Sequence, residues 1–202
     1  MSLCYNLVME LLSQIAKVAI ALFIITDSIG NLPFFMGLTE GSSKDERRKI
    51  FATAIMTGFM MIVVFAFAGT LIFDLFDLTI DDIRIAGGIL LMVISIEILI
   101  RGKINYEHKE DIGIVPLGCP LLVGPGAITT VLMMLRVYNV YAVASGVLVC
   151  FALIWLVLHF SENIYGFLGK NGSLVITKIA GILMAAIAVR FIRLSIQAIF
   201  HL

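Results

Sequence analysis

Six long apolar stretches, separated by short polar connections, make up most of the chain. They lie at about 9–38, 50–75, 83–100, 112–135, 141–160 and 174–200. A transmembrane helix needs about 20 consecutive, mostly apolar residues. No connection is long or polar enough to form a separate soluble domain. The pattern therefore predicts an all-α membrane protein, with six transmembrane helices in a single domain over residues 1–202.

The first and fourth stretches contain residues that interrupt helices. As one straight helix, the roughly 30 residues of the first stretch would span about 45 Å, whereas the hydrocarbon core measures about 30 Å. Its segment 27–33 reads Asp-Ser-Ile-Gly-Asn-Leu-Pro, and Pro33 has no backbone N–H to donate. The fourth stretch contains Pro-Leu-Leu-Val-Gly-Pro-Gly-Ala at 120–127. We predict that both helices are discontinuous and that their opened backbone faces the protein interior, because lipid cannot satisfy it.

These two interruptions occupy equivalent places in an internal repeat. Gly30 and Gly124 are 94 residues apart, and the same offset relates Arg-Ile-Ala-Gly at 84–87 to Lys-Ile-Ala-Gly at 178–181. The repeats span about 9–101 and about 110–200, with three helices in each, so they enter the membrane from opposite sides. We therefore expect a 3+3 inverted repeat. Such repeats allow alternating access to one central site, and paired interruptions indicate where that site lies.

Charge in the connections orients the chain, because Lys and Arg favour the cytoplasmic side. The odd-numbered connections carry the basic residues Lys44, Arg47, Arg48, Lys49, Arg101, Lys103 and Lys109. The second connection is mainly acidic, with Asp74, Asp77, Asp81 and Asp82 beside Arg84, and the fourth offers only Arg136. We expect a multi-pass protein of the plasma membrane, with both termini outside and the basic connections in the cytoplasm.

Composition excludes several functional classes. Apolar residues make up 61% of the chain, well above the roughly 45–50% of soluble domains. A formal net charge of zero argues against a nucleic-acid partner. The three cysteines form no metal-binding pattern, and no nucleophile lies near a His and an acid. The sequence thus predicts no metal, no cofactor and no enzymatic activity, and the first span, which lacks a cleavage signal, is expected to be retained.

The interrupted segments could bind a small zwitterion. Each is followed by a new half-helix, whose free N–H groups favour a carboxylate, while freed carbonyls, Asp27 and the Asn31 side chain could accept from an ammonium group. The candidate substrate-binding residues are Asp27, Gly30, Asn31, Pro33, Gly124, Pro125, Gly126, Ala127, Thr129 and Thr130. The simpler alternative is that Gly and Pro only permit kinks and tight crossings, as in many membrane helices.

Charged residues at membrane depth are costly and commonly functional. Asp27 and Glu97 are therefore candidates for proton coupling, although Asp27 could instead cap a half-helix and Glu97 could lie at the cytoplasmic interface near Arg101. Arg190 is an approximate repeat mate of Glu97, so the two could pair, or Arg190 could reach the interface. His159 is favoured as a lone interfacial residue rather than a proton relay. The acidic second connection is favoured as solvated rather than cation-binding.

Three segments carry a resemblance to a known family. They are the Asp27 to Pro33 motif, the basic connection after it, and Pro-Leu-Leu-Val-Gly-Pro-Gly-Ala-Ile-Thr-Thr at 120–130. On these the chain resembles the MarC-related integral membrane proteins over essentially its whole length. The resemblance implies six spans with the termini outside and, for one branch of the family, proton-coupled movement of glycine, alanine and similar amino acids. Ser28 departs from the family motif, which usually has Pro at that place.

These observations predict a secondary transporter of small neutral amino acids, working by alternating access around a midplane site between the two broken helices. The partners expected are the amino acid, a coupling proton or another cation, and the lipid bilayer. The oligomeric state is left open. A cation or proton channel is the main alternative, and a membrane scaffold without transport is a third.

Overall fold

The computed structural model describes the backbone of residues 2–101 and 111–200 and most side chains within them, those of 2–7, 101, 162–174 and 176 excepted. In chain order the helices are α1 (Ser2–Thr26), α2 (Leu32–Leu38), α3 (Lys44–Phe76), α4 (Ile80–Arg101), α5 (Pro125–Val137) and α6 (Val140–Phe200). An irregular, proline-kinked segment, Gly113–Leu122, precedes α5. The described residues contain no strand, and the all-α prediction is confirmed.

Five helical stretches among the described residues are long and apolar enough to cross a membrane. They are Val8–Thr26, Lys44–Phe76, Ile80–Ile100, Val140–Ser161 and Thr177–Phe200. The kinked segment and α5 form a sixth when they are taken as one span, bent by 58°. The structure therefore has five or six candidate spans, in the places where the apolar stretches predict them.

Helix breaks occur where the sequence predicts them, in the first and fourth stretches. Helix α1 ends at Thr26, and α2 resumes at Leu32 with Pro33 in its first turn. All four prolines of the chain lie in these regions: Pro33, Pro116, Pro120 and Pro125. Proline cannot donate a helical hydrogen bond and clashes with the preceding turn, so it fixes the breaks locally.

The last two apolar stretches form separate candidate spans, as predicted, and the connection between them is helical. One helix, Val140–Phe200, contains both of them. No proline occurs after Pro125, so the polar residues between the two stretches do not force a break in the helix. The basic residues Lys103 and Lys109 and the Arg101 side chain, which contributed to the predicted orientation, lie outside the described part of the chain.

Glycine contacts give the relative directions of the packed helices. Close approaches of Gly113 to Ile50 and of Gly69 to Leu132 make α3 run parallel to the fourth span. In α4, Gly88 faces Ile192 and Ile98 faces Gly181, so α4 and the C-terminal part of α6 are antiparallel. Glycine, without a side chain, lets backbones approach this closely in membrane bundles. Both directions are those that six successive crossings of a membrane would produce.

The surface is apolar where a soluble protein would be polar. Large exposed side chains include Phe67, Leu75, Ile100 and Tyr141, each more than 70% exposed. Such an extended apolar surface is typical of contact with lipid. The buried core, with Phe35, Ile62, Leu122 and Ile154 among its members, joins all the packed elements. The multi-pass character predicted from hydropathy is confirmed.

Polar side chains at the ends of α3 and α4 have local structural roles. Ser43 and Glu46 form a capping box that begins α3. Thr79 and Asp82 hydrogen-bond to each other across the first turn of α4, and Asp81 forms an ion pair with Arg84 at 2.7 Å. Asp77 ends α3 in the left-handed conformation. No group of three or more His, Cys, Asp and Glu residues within the described ranges is arranged to hold a metal ion.

Candidate functional site

The first break is a tight turn that Asp27 organises. Asp27 has a φ of 42°, its carbonyl accepts from Asn31 N at 2.8 Å, and its Oδ1 accepts from Gly30 N at 3.2 Å. A Cβ added at Gly30 would lie 2.4 Å from Asp27 Oδ2. Any larger residue at position 30 would therefore displace the Asp27 carboxylate from this position. The neighbouring Ser28 is buried, with its hydroxyl 3.4 Å from that of Thr26.

Asn31 joins the two broken segments. Its side-chain Nδ2 donates to Thr26 O at 2.9 Å and to Leu121 O at 3.3 Å, across 90 residues of sequence. Asn31 is only 7% exposed, so these carbonyls, freed by the helix breaks, are satisfied inside the protein. Both amide hydrogens are used, which leaves the Asn31 side-chain oxygen as its acceptor. The two broken segments, which are predicted to lie together in the interior, are therefore in contact.

The second break is longer than the first. Within Gly113–Leu122, Val115 and Cys119 adopt extended backbone angles, and Val123 N donates to Gly118 O at 3.1 Å. Gly124 is also extended, with ψ of 179°, and a Cβ there would lie 2.9 Å from Pro120 O. The close approach of Pro120 O excludes any larger residue at position 124.

The half-helices after the breaks offer fewer free donors than the sequence suggests. In α2, Leu32 N donates to Ile29 O, Phe34 N and Phe35 N donate to Asn31 O, and Pro33 has no N–H. The first-turn donors of α2 are therefore already used.

In α5, the N–H groups of Ala127 and Ile128 both donate to Gly124 O. Pro125 has no N–H, so the N–H group of Gly126 is the first-turn donor of α5 that does not bond to Gly124 O. Gly126 is exposed, and a Cβ added there would lie 3.3 Å from the Ile25 side chain. Ala127, by contrast, is 1% exposed and packs in the core.

Both threonine hydroxyls of α5 are turned back onto the helix. Thr129 Oγ1 donates to Pro125 O, and Thr130 Oγ1 donates to Gly126 O at 2.8 Å. Threonine commonly forms such bonds to the carbonyl four residues earlier. The hydroxyl oxygens keep acceptor capacity, but their hydrogens are engaged within α5.

A small pocket lies beside the first break. It has a volume of about 270 Å³ and is formed by the turn, α2 and one face of α6. Its lining residues are Asp27, Gly30, Asn31, Phe34, Leu183, Ala186, Ile187 and Arg190. Three of the predicted site residues thus share one cavity, together with an arginine that the sequence-based site did not include.

The other predicted residues lie elsewhere. Thr129 lines a second cavity of about 470 Å³, which is formed by α3, α5 and the start of α4 and whose lining includes Asp74 and Arg136. A Cβ added at Gly124 would lie 4.0 Å from the ring of Phe191, which is the residue after Arg190. The second break therefore contacts α6 beside the small pocket without lining it.

Glu97 is remote from Arg190. Its neighbour Ile98 contacts Gly181, and nine residues of helix separate Gly181 from Arg190, about 13 Å along the axis. Glu97 lines neither of the two cavities described above. His159 is exposed and stacks on Trp155 with ring centroids 5.2 Å apart, also away from the small pocket.

The spans, the interruptions and the apolar surface define a multi-pass integral membrane protein of the helical class. The model of the family described as "MarC family integral membrane protein" matches residues 12–200. The chain belongs to this MarC family, and the resemblance seen in its motifs is confirmed. Membership is consistent with a membrane transporter or channel.

Relatives of similar length support the assignment. The chain is 36% identical to the UPF0056 membrane protein YvbG of Bacillus subtilis, over 93% of this chain and 96% of the relative. It is 32% identical to the UPF0056 membrane protein YhcE of Escherichia coli, over 91% and 92% of the two chains. No solved structure matches the chain at a significant level.

Proposed function

We propose that this protein is a secondary transporter of small neutral amino acids, with glycine and alanine as substrates, rather than an enzyme. The observation that carries the proposal is the pocket of about 270 Å³ at the first helix break, which holds both an acidic and a basic side chain. Pockets for drug-sized ligands measure about 300–1,000 Å³, so this one suits a smaller molecule. An α-amino acid carries the complementary pair of charges.

Alternating access requires two related halves, and the helix contacts support an inverted repeat. The 94-residue offset relates position 88 to position 182, and position 192 to position 98. The Gly88–Ile192 contact therefore has its counterpart at positions 182 and 98, one residue from the observed Ile98–Gly181 contact. Similarly, the approach of Gly146 to Val18 corresponds to that of Gly113 to Thr53, within one residue on each side. Repeated contacts at one offset are what a pseudo-twofold arrangement produces.

The site is proposed to lie where the two broken helices meet. Asn31 ties the first break to the second through Leu121 O, so movement of one half against the other would act directly on the pocket. Gly30, Asn31 and Asp27 face the substrate in this proposal. Pro33, Gly124, Pro125, Gly126, Ala127, Thr129 and Thr130 shape the breaks and the wall behind them.

Proton coupling is proposed to act at Asp27. Its carboxylate lines the pocket, and its Oδ1 accepts a single backbone hydrogen bond from Gly30 N, so a proton or an ammonium group has access to the remaining oxygen. Glu97 is the second candidate, at the other end of α4 from the acidic connection. In this proposal both termini are outside the cell, and the basic connections lie in the cytoplasm.

The direct test uses purified protein in proteoliposomes with labelled glycine and alanine. We expect saturable uptake and counterflow, with accumulation that depends on an imposed pH gradient and is abolished by a protonophore. A folded protein that moves neither amino acid in any gradient would contradict the assignment. Electrode-measured currents without saturable counterflow would favour the channel alternative.

A further inference from the structure

Arg190 lies near the middle of its span. The span Thr177–Phe200 places Arg190 13 residues from one end and 10 from the other, or about 20 Å and 15 Å along the helix. A charged side chain at that depth is costly unless it faces protein, water or a partner charge. Arg190 is too far from either end of the span to lie at the membrane interface. We therefore expect its positive charge to interact with an opposite charge within the membrane.

Asp27 provides an opposite charge in the same pocket, but the two side chains do not form an ion pair within 4.0 Å in the structure. The space between them is lined by Gly30 and Ala186, which are small, and by the apolar side chains of Phe34, Leu183 and Ile187. A carboxylate and a guanidinium across a small cavity can accept a ligand whose own charges are reversed. An α-amino acid has that arrangement.

We propose that Arg190 binds the substrate carboxylate, while Asp27 binds its ammonium group. This inference rests on the proposed function and names the group that selects the substrate class. The planar guanidinium can donate two parallel hydrogen bonds to a carboxylate, which an ammonium side chain cannot reproduce. The first-turn N–H groups of α2 already have acceptors within the chain, so Arg190 supplies the positive charge that the helix start does not.

The size of the pocket sets the expected preference. A volume of about 270 Å³, lined in part by Phe34 and Leu183, leaves little space for a substrate side chain, so glycine and alanine should fit better than leucine or phenylalanine. Ligands that lack either charged end should bind poorly, because Asp27 or Arg190 would then lose its opposite charge within the pocket.

Arg193 offers a matched control. It lies one turn further along α6 and lines a neighbouring cavity together with Arg190, but it does not line the pocket that contains Asp27. Replacing either arginine by glutamine removes one positive charge from the same helix. A difference between the two variants therefore reports on position rather than on net charge.

The experiment compares wild type, Arg190→Gln, Arg190→Lys and Arg193→Gln in proteoliposome counterflow, with glycine, glycinamide and N-acetylglycine as competitors. In the wild type, glycine should compete at least tenfold better than either analogue. Arg190→Gln should lower glycine affinity at least tenfold and remove most of the preference over glycinamide. Arg190→Lys should be intermediate, and Arg193→Gln should resemble the wild type.

Several outcomes separate the two proposals. Glycine transport by Arg190→Gln with unchanged affinity and unchanged preference over glycinamide would overturn the role of Arg190 and leave the transporter assignment intact. A wild type that moves neither glycine nor alanine would overturn both. Should the arginine variants fail to fold, as judged by size-exclusion chromatography, equal competition by glycinamide and glycine in the wild type would by itself refute carboxylate recognition.

Discussion

At the scale of single residues, the structure gives Gly30 a different role from the one that the sequence suggests. The sequence suggests that its small size lets backbone approach a ligand. In the structure, the missing side chain instead makes room for the Asp27 carboxylate, which would lie 2.4 Å from an added Cβ. Real Cβ contacts are never this short, so any larger residue must displace that carboxylate. The observed conformation of the Asp27 side chain therefore depends on the absence of a side chain at position 30.

We expect Gly30→Ala to weaken glycine transport about as much as Asp27→Ala does. Each change should lower apparent affinity roughly tenfold, since one hydrogen bond to a charged group contributes about 1.5 kcal/mol. The double variant should be little worse than either single change, because both remove the same group from the pocket. Counterflow in proteoliposomes measures all three.

Gly87→Ala is the control for the added methyl group, since a Cβ at Gly87 meets Pro120 at an ordinary 3.4 Å. It should transport like the wild type. Losses that simply add in the Gly30/Asp27 double variant would show that residue 30 acts independently of the carboxylate.

At the scale of helices, proline placement and one buried amide decide how the breaks are built. Prolines stop the helices locally, but stopping a helix exposes carbonyls that must find donors. Asn31 satisfies one carbonyl from each broken segment, Thr26 O and Leu121 O. At the other end of the bundle, Lys178 Nζ donates to Ile98 O and Leu99 O, which completes the end of α4. Asn31 thus bonds carbonyls of two separate segments, whereas Lys178 of α6 bonds two carbonyls of the single helix α4.

Replacing Asn31 by Leu should destabilise the protein. The substitution keeps the volume but removes both donated hydrogen bonds, and each buried carbonyl left without a partner costs about 1–3 kcal/mol. We expect a clearly lower thermal midpoint in detergent, measured by the loss of a folded peak or by tryptophan fluorescence from Trp155.

The control is Thr130→Val, which removes only a hydroxyl bonded to a carbonyl of its own helix. Its midpoint should move little. If Asn31→Leu shifted the midpoint no more than Thr130→Val, the bridge between the two segments would not contribute to stability.

At the scale of the whole molecule, the directions of the packed helices agree with six successive crossings. Helix α3 runs parallel to the fourth span, and α4 runs antiparallel to the last, as alternating crossings require. Relative directions alone do not define which side faces the cytoplasm. The orientation is predicted from the basic and acidic connections, because Lys and Arg favour the cytoplasmic side.

Cysteine labelling tests the orientation. Asp45 lies in the first turn of α3 at the basic connection, and Leu78 follows α3 at the acidic one. Both residues are exposed. In a background lacking Cys4, Cys119 and Cys150, a membrane-impermeant maleimide should label Leu78→Cys in intact cells and label Asp45→Cys only after the membrane is opened. The reverse pattern would place the termini in the cytoplasm.

Much of the fold could be predicted because its signals are local. Apolar length gives the spans, and Pro33 and Pro125 mark the breaks, since these effects depend on neighbours within a few residues. The last two spans lie where the apolar stretches predict them, and the polar residues between them continue the helix because polar residues alone do not interrupt one. The place of Arg190 beside Asp27 was missed, although a charge in mid-span was the available signal.

The sequence by itself determined the environment, the approximate positions of the candidate spans and the two breaks, and it predicts the repeat that relates them. Only the tertiary structure decided that Asn31 bonds Leu121, that Gly30 makes room for Asp27, and that Asp27 shares a pocket with Arg190. The physical reason is the sequence separation over which each effect acts. Hydropathy and proline act through adjacent residues, whereas the Asn31–Leu121 bond and the pocket shared by Asp27 and Arg190 join segments 90 residues or more apart and depend on how the helices pack. The approach of Asp27 to Gly30 is local, but it depends on the backbone conformation of the turn.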